Sequence, residues 1–93
     1  MQITMYGIRS CHDCVDAEKL LNEKQIAFTY LDFAENPVWL KEFIQLRDHS
    51  PFFEEVRKNG WIGIPYFELE DGTKTFNVEE VVEKAYDRGR NVP

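Results

Sequence analysis

The chain has no run approaching the roughly 18 consecutive apolar residues that a membrane-spanning helix needs. Its opening, Met1-Gln2-Ile3-Thr4-Met5-Tyr6, has neither a basic stretch nor a long apolar one. No signal peptide is therefore expected, and the expected location is the cytoplasm. Positive charge is scarce: 11 lysines and arginines stand against 17 aspartates and glutamates, a net charge of −6. That balance argues against a nucleic-acid scaffold and against docking on an anionic membrane. No internal repeat, low-complexity tract or Gly/Ser linker interrupts the sequence, so residues 1–93 read as a single domain. Cysteine occurs only twice, at positions 11 and 14. Two cysteines build no disulfide framework, and a bridge between them would close a loop too small to constrain the unfolded chain much. In a reducing compartment such a close pair points to catalysis or metal binding.

What is present supports a fold. The chain is 43% hydrophobic and 14% aromatic, too apolar for a disordered segment. With 93 residues it buries about 60–65% of its unfolded surface, which makes a thin core. Ile3, Met5 and Tyr6 before Gly7 read as a first strand, and Gly7-Ile8-Arg9-Ser10 as a loop. From Asp13 the pattern is helical: Cys14, Ala17 and Leu21 share a face with Val15 and Leu20 beside them, and Asp16, Glu18, Lys19 and Glu23 face out. Ile26 to Phe33 is a β-rich run. Asn36-Pro37 is a helix start, followed by an apolar stripe of Trp39, Leu40, Phe43, Ile44 and Leu46. Ser50-Pro51 starts a second short helix that Asn59-Gly60 ends. Tyr66–Leu69 and Thr73–Phe76 flank Glu70-Asp71-Gly72 as a hairpin. Asn77-Val78-Glu79-Glu80 opens a last helix with Val78, Val81, Val82, Ala85 and Tyr86 inward, stopping near Gly89.

Cys11-His12-Asp13-Cys14 falls where the first loop meets the first helix. Unpaired N–H groups and the positive end of the helix dipole favour a thiolate there, and the thiolate is the form that attacks disulfides. Cys11 is expected to be the exposed attacking sulfur. Cys14, one turn on and facing inward, is expected to resolve the mixed disulfide. Arg9 adds positive charge beside Cys11, as does His12 when protonated, whereas Asp13 opposes the thiolate.

This arrangement resembles the glutaredoxins, within the thioredoxin fold. Met5-Tyr6-Gly7-Ile8-Arg9-Ser10-Cys11 is similar to that family's first strand, loop and active cysteine, and Ile64-Pro65-Tyr66-Phe67 to its proline in cis before strand three. The resemblance implies an α/β chain: a βαβ unit, a helix, a β-hairpin and a C-terminal helix around a four-stranded mixed sheet. It places Pro65 opposite Cys11 and offers the backbone of Ile64 to an extended thiol substrate. The implied activity is dithiol–disulfide exchange on protein or glutathione mixed disulfides through Cys11 and Cys14. Two departures stand out. His12-Asp13 replaces the Pro-Tyr or Pro-Phe common between the cysteines. Thr75-Phe76-Asn77-Val78-Glu79 replaces a Gly-Gly pair and an Asp that hold the glutathione γ-glutamyl group; Glu79 is the only stand-in for the Asp, and Phe76 obstructs an approach that glycine permits. Glutathione is therefore expected to serve as reductant only through a weakened site, and no permanently bound cofactor is expected. The opening around Tyr6-Gly7-Ile8 is also similar to the arsenate reductase and Spx-like branch, which runs longer and lacks the C-terminal hairpin.

The expected site comprises Cys11 and Cys14 as catalytic residues, with Arg9, Ile64, Pro65 and Glu79 toward substrate. The expected partners are a disulfide-containing protein or small thiol and an external thiol reductant, with no nucleic acid, no membrane and a monomeric state. Two other classes stand beside the enzyme. A metal or iron–sulfur module would need more than Cys11, His12 and Cys14, with His49 or a second subunit completing four ligands. A redox-regulated adaptor would keep the pair without turnover. Away from the pair, His12 reads as a solvated helix-start residue and His49 as a loop residue. Trp61 either rims a substrate groove or packs in the core.

Overall fold

The computed structural model describes residues 1–87. Its centre is strand β1 (Ile3–Gly7), which alternates its side chains between two apolar layers. Ile3 and Met5 point to one face and Tyr6 to the other, as the two-residue period of a strand requires. β2 (Thr29–Asp32) lies parallel to β1, and β3 (Tyr66–Leu69) lies antiparallel on its other side. β4 (Lys74–Thr75) closes the hairpin, giving a four-stranded mixed sheet in the order β2-β1-β3-β4. The β-rich run from Ile26 is thus cut to four residues: Gln25, at φ 57°, and the Ile26 N–H bond back to Leu21 O still belong to the end of α1, and pairing with β1 begins at Thr29.

Helix α1 (His12–Glu23) and helix α4 (Val78–Asp87) cover one face. There Cys14, Ala17, Leu21, Val81 and Ala85 meet Ile3, Met5, Phe67 and Leu69 in a mostly aliphatic layer. Tyr86, expected inward, is 46% exposed, because Val81 and Ala85 already fill the contact with the sheet. Val15, 42% exposed, likewise stays outside this layer. The helix stop expected near Gly89 lies outside the described residues.

The opposite face is covered by α2 (Pro37–His49), a 3₁₀ turn (Pro51–Phe53) and α3 (Glu54–Lys58). Its layer is aromatic: Phe43 lies 5.1 Å from Phe33 and 5.6 Å from Phe53, centroid to centroid, and Phe53 lies 4.8 Å from Tyr66. Asn36 caps α2 as its sequence position predicts, its Oδ1 accepting from Val38 N–H at 3.0 Å, with Pro37 at the first turn. Ser50 repeats the device, accepting from Phe52 N–H at 3.3 Å. Of the expected α2 stripe only Phe43 is fully buried, and Leu40 and Ile44 remain about 40% exposed. His49 belongs to the last turn of α2 rather than to a loop.

Candidate active site

The loop after β1 folds back through a hydrogen bond from Cys11 N–H to Ile8 O at 2.9 Å, which delivers Cys11 to the N-cap position of α1. Its backbone there is extended, and no side chain caps the helix, so the first-turn N–H groups are left for whatever sits on the sulfur. Cys11 is half-buried, and Cys14, one turn on, has no exposed surface. Both thiols are free. Burial pushes the Cys14 thiol up to about 12, and its hydrogen bond toward Cys11 and the charge of Cys11 push the same way. The Ile8 backbone N–H and the Tyr30 hydroxyl act in the opposite direction.

The opening in front of Cys11 is an apolar groove of about 810 Å³. Ile8, Val56, Trp61, Ile62, Ile64 and Phe76 form its walls, and Asp13 and Glu55 stand at it; no lysine or arginine lines it. The Ile64–Pro65 peptide bond is cis, and Pro65 is buried just before β3. Trp61, 59% exposed, rims the groove instead of packing in the core. Arg47 on α2 holds this rim: its guanidinium donates to the carbonyls of Trp61 and Ile62, with Nε at 3.0 and 3.1 Å. Arg57 in turn donates Nη1 hydrogen bonds to Arg47 O at 2.6 Å and Ser50 O at 2.9 Å, satisfying carbonyls at the end of α2.

The expected site residues thus divide. Cys11, Cys14, Ile64 and Pro65 converge on the groove or directly behind it. Arg9 does not line the groove. Its guanidinium pairs with Asp32 at 3.1 Å, Glu35 at 3.0 Å and Glu18 at 3.3 Å, and lies 4.8 Å over the Tyr30 ring. Asp32, 2% exposed, needs that cation, since a buried carboxylate is costly without a partner. Glu79 is exposed in the first turn of α4, its N–H donating to Asn77 Oδ1 at 2.9 Å, and is not among the groove residues. Phe76 lines the groove and also packs against Phe52 at 4.9 Å and edge-on against Phe53 at 5.2 Å, which makes it part of the aromatic layer. His12 is 88% exposed at its side chain and pairs with Asp16 at 3.2 Å. Among the described residues, no three histidines, cysteines, aspartates or glutamates gather as a metal site.

Three residues at or beside the site have no counterpart in the sequence expectations: Tyr30, Arg47 and Gly7. Strand alternation could have found the first. Tyr30 is in register with Met5, so it stands on the α1 face beside Cys14. A Cβ added to Gly7 would lie 2.7 Å from Cys14 Sγ and 3.3 Å from the Tyr30 hydroxyl, so glycine is what lets the Cys14 sulfur lie against β1.

The glutaredoxin family model matches residues 3–67, which include both cysteines and the Ile64–Pro65 bond. The chain belongs to the glutaredoxin family. The match covers β1 through the first half of β3 and stops before β4 and α4. The search of curated proteins and that of solved structures each returned no significant match. The order of strands and helices is that of the thioredoxin fold, as the sequence resemblance implies. Among the described residues no helix is long and apolar enough to cross a membrane.

Proposed function

We propose that this glutaredoxin-family chain is a dithiol–disulfide oxidoreductase whose substrates are disulfides presented by polypeptides, working in a reducing compartment such as the cytoplasm. The observation that carries the reading is the groove: a half-buried Cys11 opens onto an extended apolar surface, with the buried Cys14 one helical turn behind it. The Cys11 sulfur attacks one sulfur of the substrate disulfide. The S–S bond breaks, and the first substrate thiol leaves with its electron pair and a proton. Cys14 then attacks the Cys11 sulfur of the mixed disulfide, releases the second thiol and leaves Cys11 and Cys14 joined. An external thiol reductant restores the dithiol.

The groove chemistry favours a polypeptide over free glutathione. Glutathione carries carboxylates, and the groove offers them no cation but two acidic side chains, Asp13 and Glu55. The segment that would hold its γ-glutamyl end presents Phe76, packed against Phe52, and Glu79 is not among the groove residues. An extended peptide instead gains apolar contact with Ile8, Trp61 and Ile62, and the Ile64 backbone before Pro65 is where it would pair.

Two cysteine variants test the mechanism. Cys14→Ala is expected to accumulate a covalent substrate adduct on Cys11, visible by intact-mass measurement. Cys11→Ala is expected to form no adduct and reduce nothing. Retention of full disulfide-reductase activity by both variants would end the reading. Substrate class is tested by comparing turnover of a peptide disulfide with turnover of a small glutathione mixed disulfide under one reducing system. Faster turnover of the glutathione mixed disulfide overturns the polypeptide preference.

A further inference from the structure

We propose that the Tyr30 hydroxyl is a catalytic group of the second half-reaction, donating a hydrogen bond to the Cys14 thiolate as it attacks the Cys11 mixed disulfide. This rests on the dithiol reading above and adds a residue to it.

Three observations meet at this hydroxyl. Among the described residues, Tyr30 Oη is the one buried side-chain polar atom without a hydrogen-bond partner. It sits in the same small space as Cys14 Sγ, since one point beside Gly7 is 2.7 Å from the sulfur and 3.3 Å from the oxygen. Its presence favours the ionised form of Cys14. Buried polar groups are normally paired, and an exception calls for a partner that another state supplies. The thiol of Cys14 is a weak acceptor, and its thiolate is a strong one. The oxygen therefore waits unpaired in the dithiol and gains its partner when the sulfur ionises.

The second half-reaction needs that help. Burial holds the Cys14 thiol up to about 12, so at neutral pH it is almost entirely protonated and unreactive. Tyr30 does not serve as the base. Burial, then the charges of Cys14, Asp32 and Glu18, raise its own pKa, so it stays a donor. The groups facing it are Cys14 and Glu18 from α1, Asp32 from β2 and Arg9 from the preceding loop. Arg9 lies over the ring and offsets part of the acidic field while holding the ring in place. The step balances: the Cys14 thiol proton ends on the departing substrate thiol, the Cys11–substrate S–S bond breaks as the Cys11–Cys14 bond forms, and Tyr30 returns unchanged.

The test uses the reduced protein and an aromatic disulfide, dithiobis-nitrobenzoate, whose coloured thiolate is released once by Cys11 and again by Cys14. Stopped-flow separates the two phases. Tyr30→Phe is expected to leave the first phase within about twofold and slow the second about 10- to 100-fold, the range for a lost hydrogen bond to a charged group. The pH profile of the second phase is expected to move upward, which a packing defect would not produce. Fluorotyrosine placed at position 30, a stronger donor of nearly the same size, is expected to match or exceed the wild-type second phase. An unchanged second phase in Tyr30→Phe, equal slowing of both phases, or a slower fluorotyrosine protein overturns the inference. Failure of the wild-type first phase would instead overturn the dithiol mechanism itself.

Discussion

Gly7→Ala is the sharpest probe of how the two cysteines are seated. The added methyl would lie 2.7 Å from Cys14 Sγ, 3.4 Å from Cys14 Cβ and 3.3 Å from the Tyr30 hydroxyl. Carbon-to-heavy-atom contacts settle near 3.5–4.0 Å, so the sulfur must give way by about 1 Å. Neither partner is free to move. Gly7 lies in the central strand, in register with Asp32 of β2 and followed by the Phe33 N–H bond to Gly7 O at 2.9 Å. Cys14 has no exposed surface and packs in the layer with Ala17 and Leu21. Overpacking of this kind costs about 1–3 kcal/mol. In a domain of this size that lowers Tm by roughly 4–8 °C per kcal/mol, so a loss of roughly 5–20 °C is expected. Thermal unfolding of the reduced protein followed by circular dichroism measures it. Gly72→Ala is the control: at φ 91° on the hairpin and with no atom within 4 Å, it meets only the backbone cost of a left-handed residue, about 1–2 kcal/mol. Gly7→Ala should also slow attack by Cys14, and Gly72→Ala should not. A Gly7→Ala protein with Tm within about 2 °C of wild type and a normal second phase would refute the tight seating.

Other expectations follow from the same geometry. Arg47→Ala frees the Trp61–Ile62 rim and is expected to weaken peptide-disulfide turnover about 3- to 10-fold through KM while sparing a small aromatic disulfide, which steady-state kinetics with both substrates would check. Cys14, Tyr6, Tyr30 and Tyr66 all have folded-state pKa values raised mainly by burial. Their contribution is therefore intact below the unfolded values of 9.0 for cysteine and 10.0 for tyrosine and is lost as pH rises toward the folded values. Tm of the reduced protein should be flat with respect to these groups near neutrality and fall above about pH 9; a Tm that rises there would contradict their burial. Gln25 follows α1 in a left-handed conformation at φ 57°. Gln25→Gly is expected to stabilise by up to about 1 kcal/mol, read from guanidinium unfolding at constant m.

The fold was largely legible because its punctuation is local. Asn36-Pro37, Ser50-Pro51 and Asn59-Gly60 act through contacts within a few residues, and each appears where its chemistry predicts. The cysteine pair was legible from its own spacing at a helix start, whereas the cis bond at Ile64–Pro65 was implied only by the resemblance to the glutaredoxins. The rest depends on distance in sequence. Arg9 looks like a free cation beside Cys11 until Glu18, Asp32 and Glu35 converge on it from a helix, a strand end and a loop. Tyr30 looks like an ordinary strand aromatic until β2 pairs with β1 and brings it to Cys14. Tyr86 and Leu40 carry the right periodicity yet stay outside, because a chain this short has more apolar stripe than sheet to cover.

The sheet keeps two jobs apart. The Cys14 sulfur, Gly7 and Tyr30 belong to the aliphatic side under α1, whereas most of the groove wall belongs to the aromatic side under α2 and α3. Ile64 is the residue packed against both. On the proposed function, sequence drift on the aromatic side would therefore alter what the groove accepts without disturbing the surroundings of Cys14, and drift on the aliphatic side would do the reverse. Directed evolution could proceed on two nearly independent libraries, with position 64 as the coupling to hold fixed.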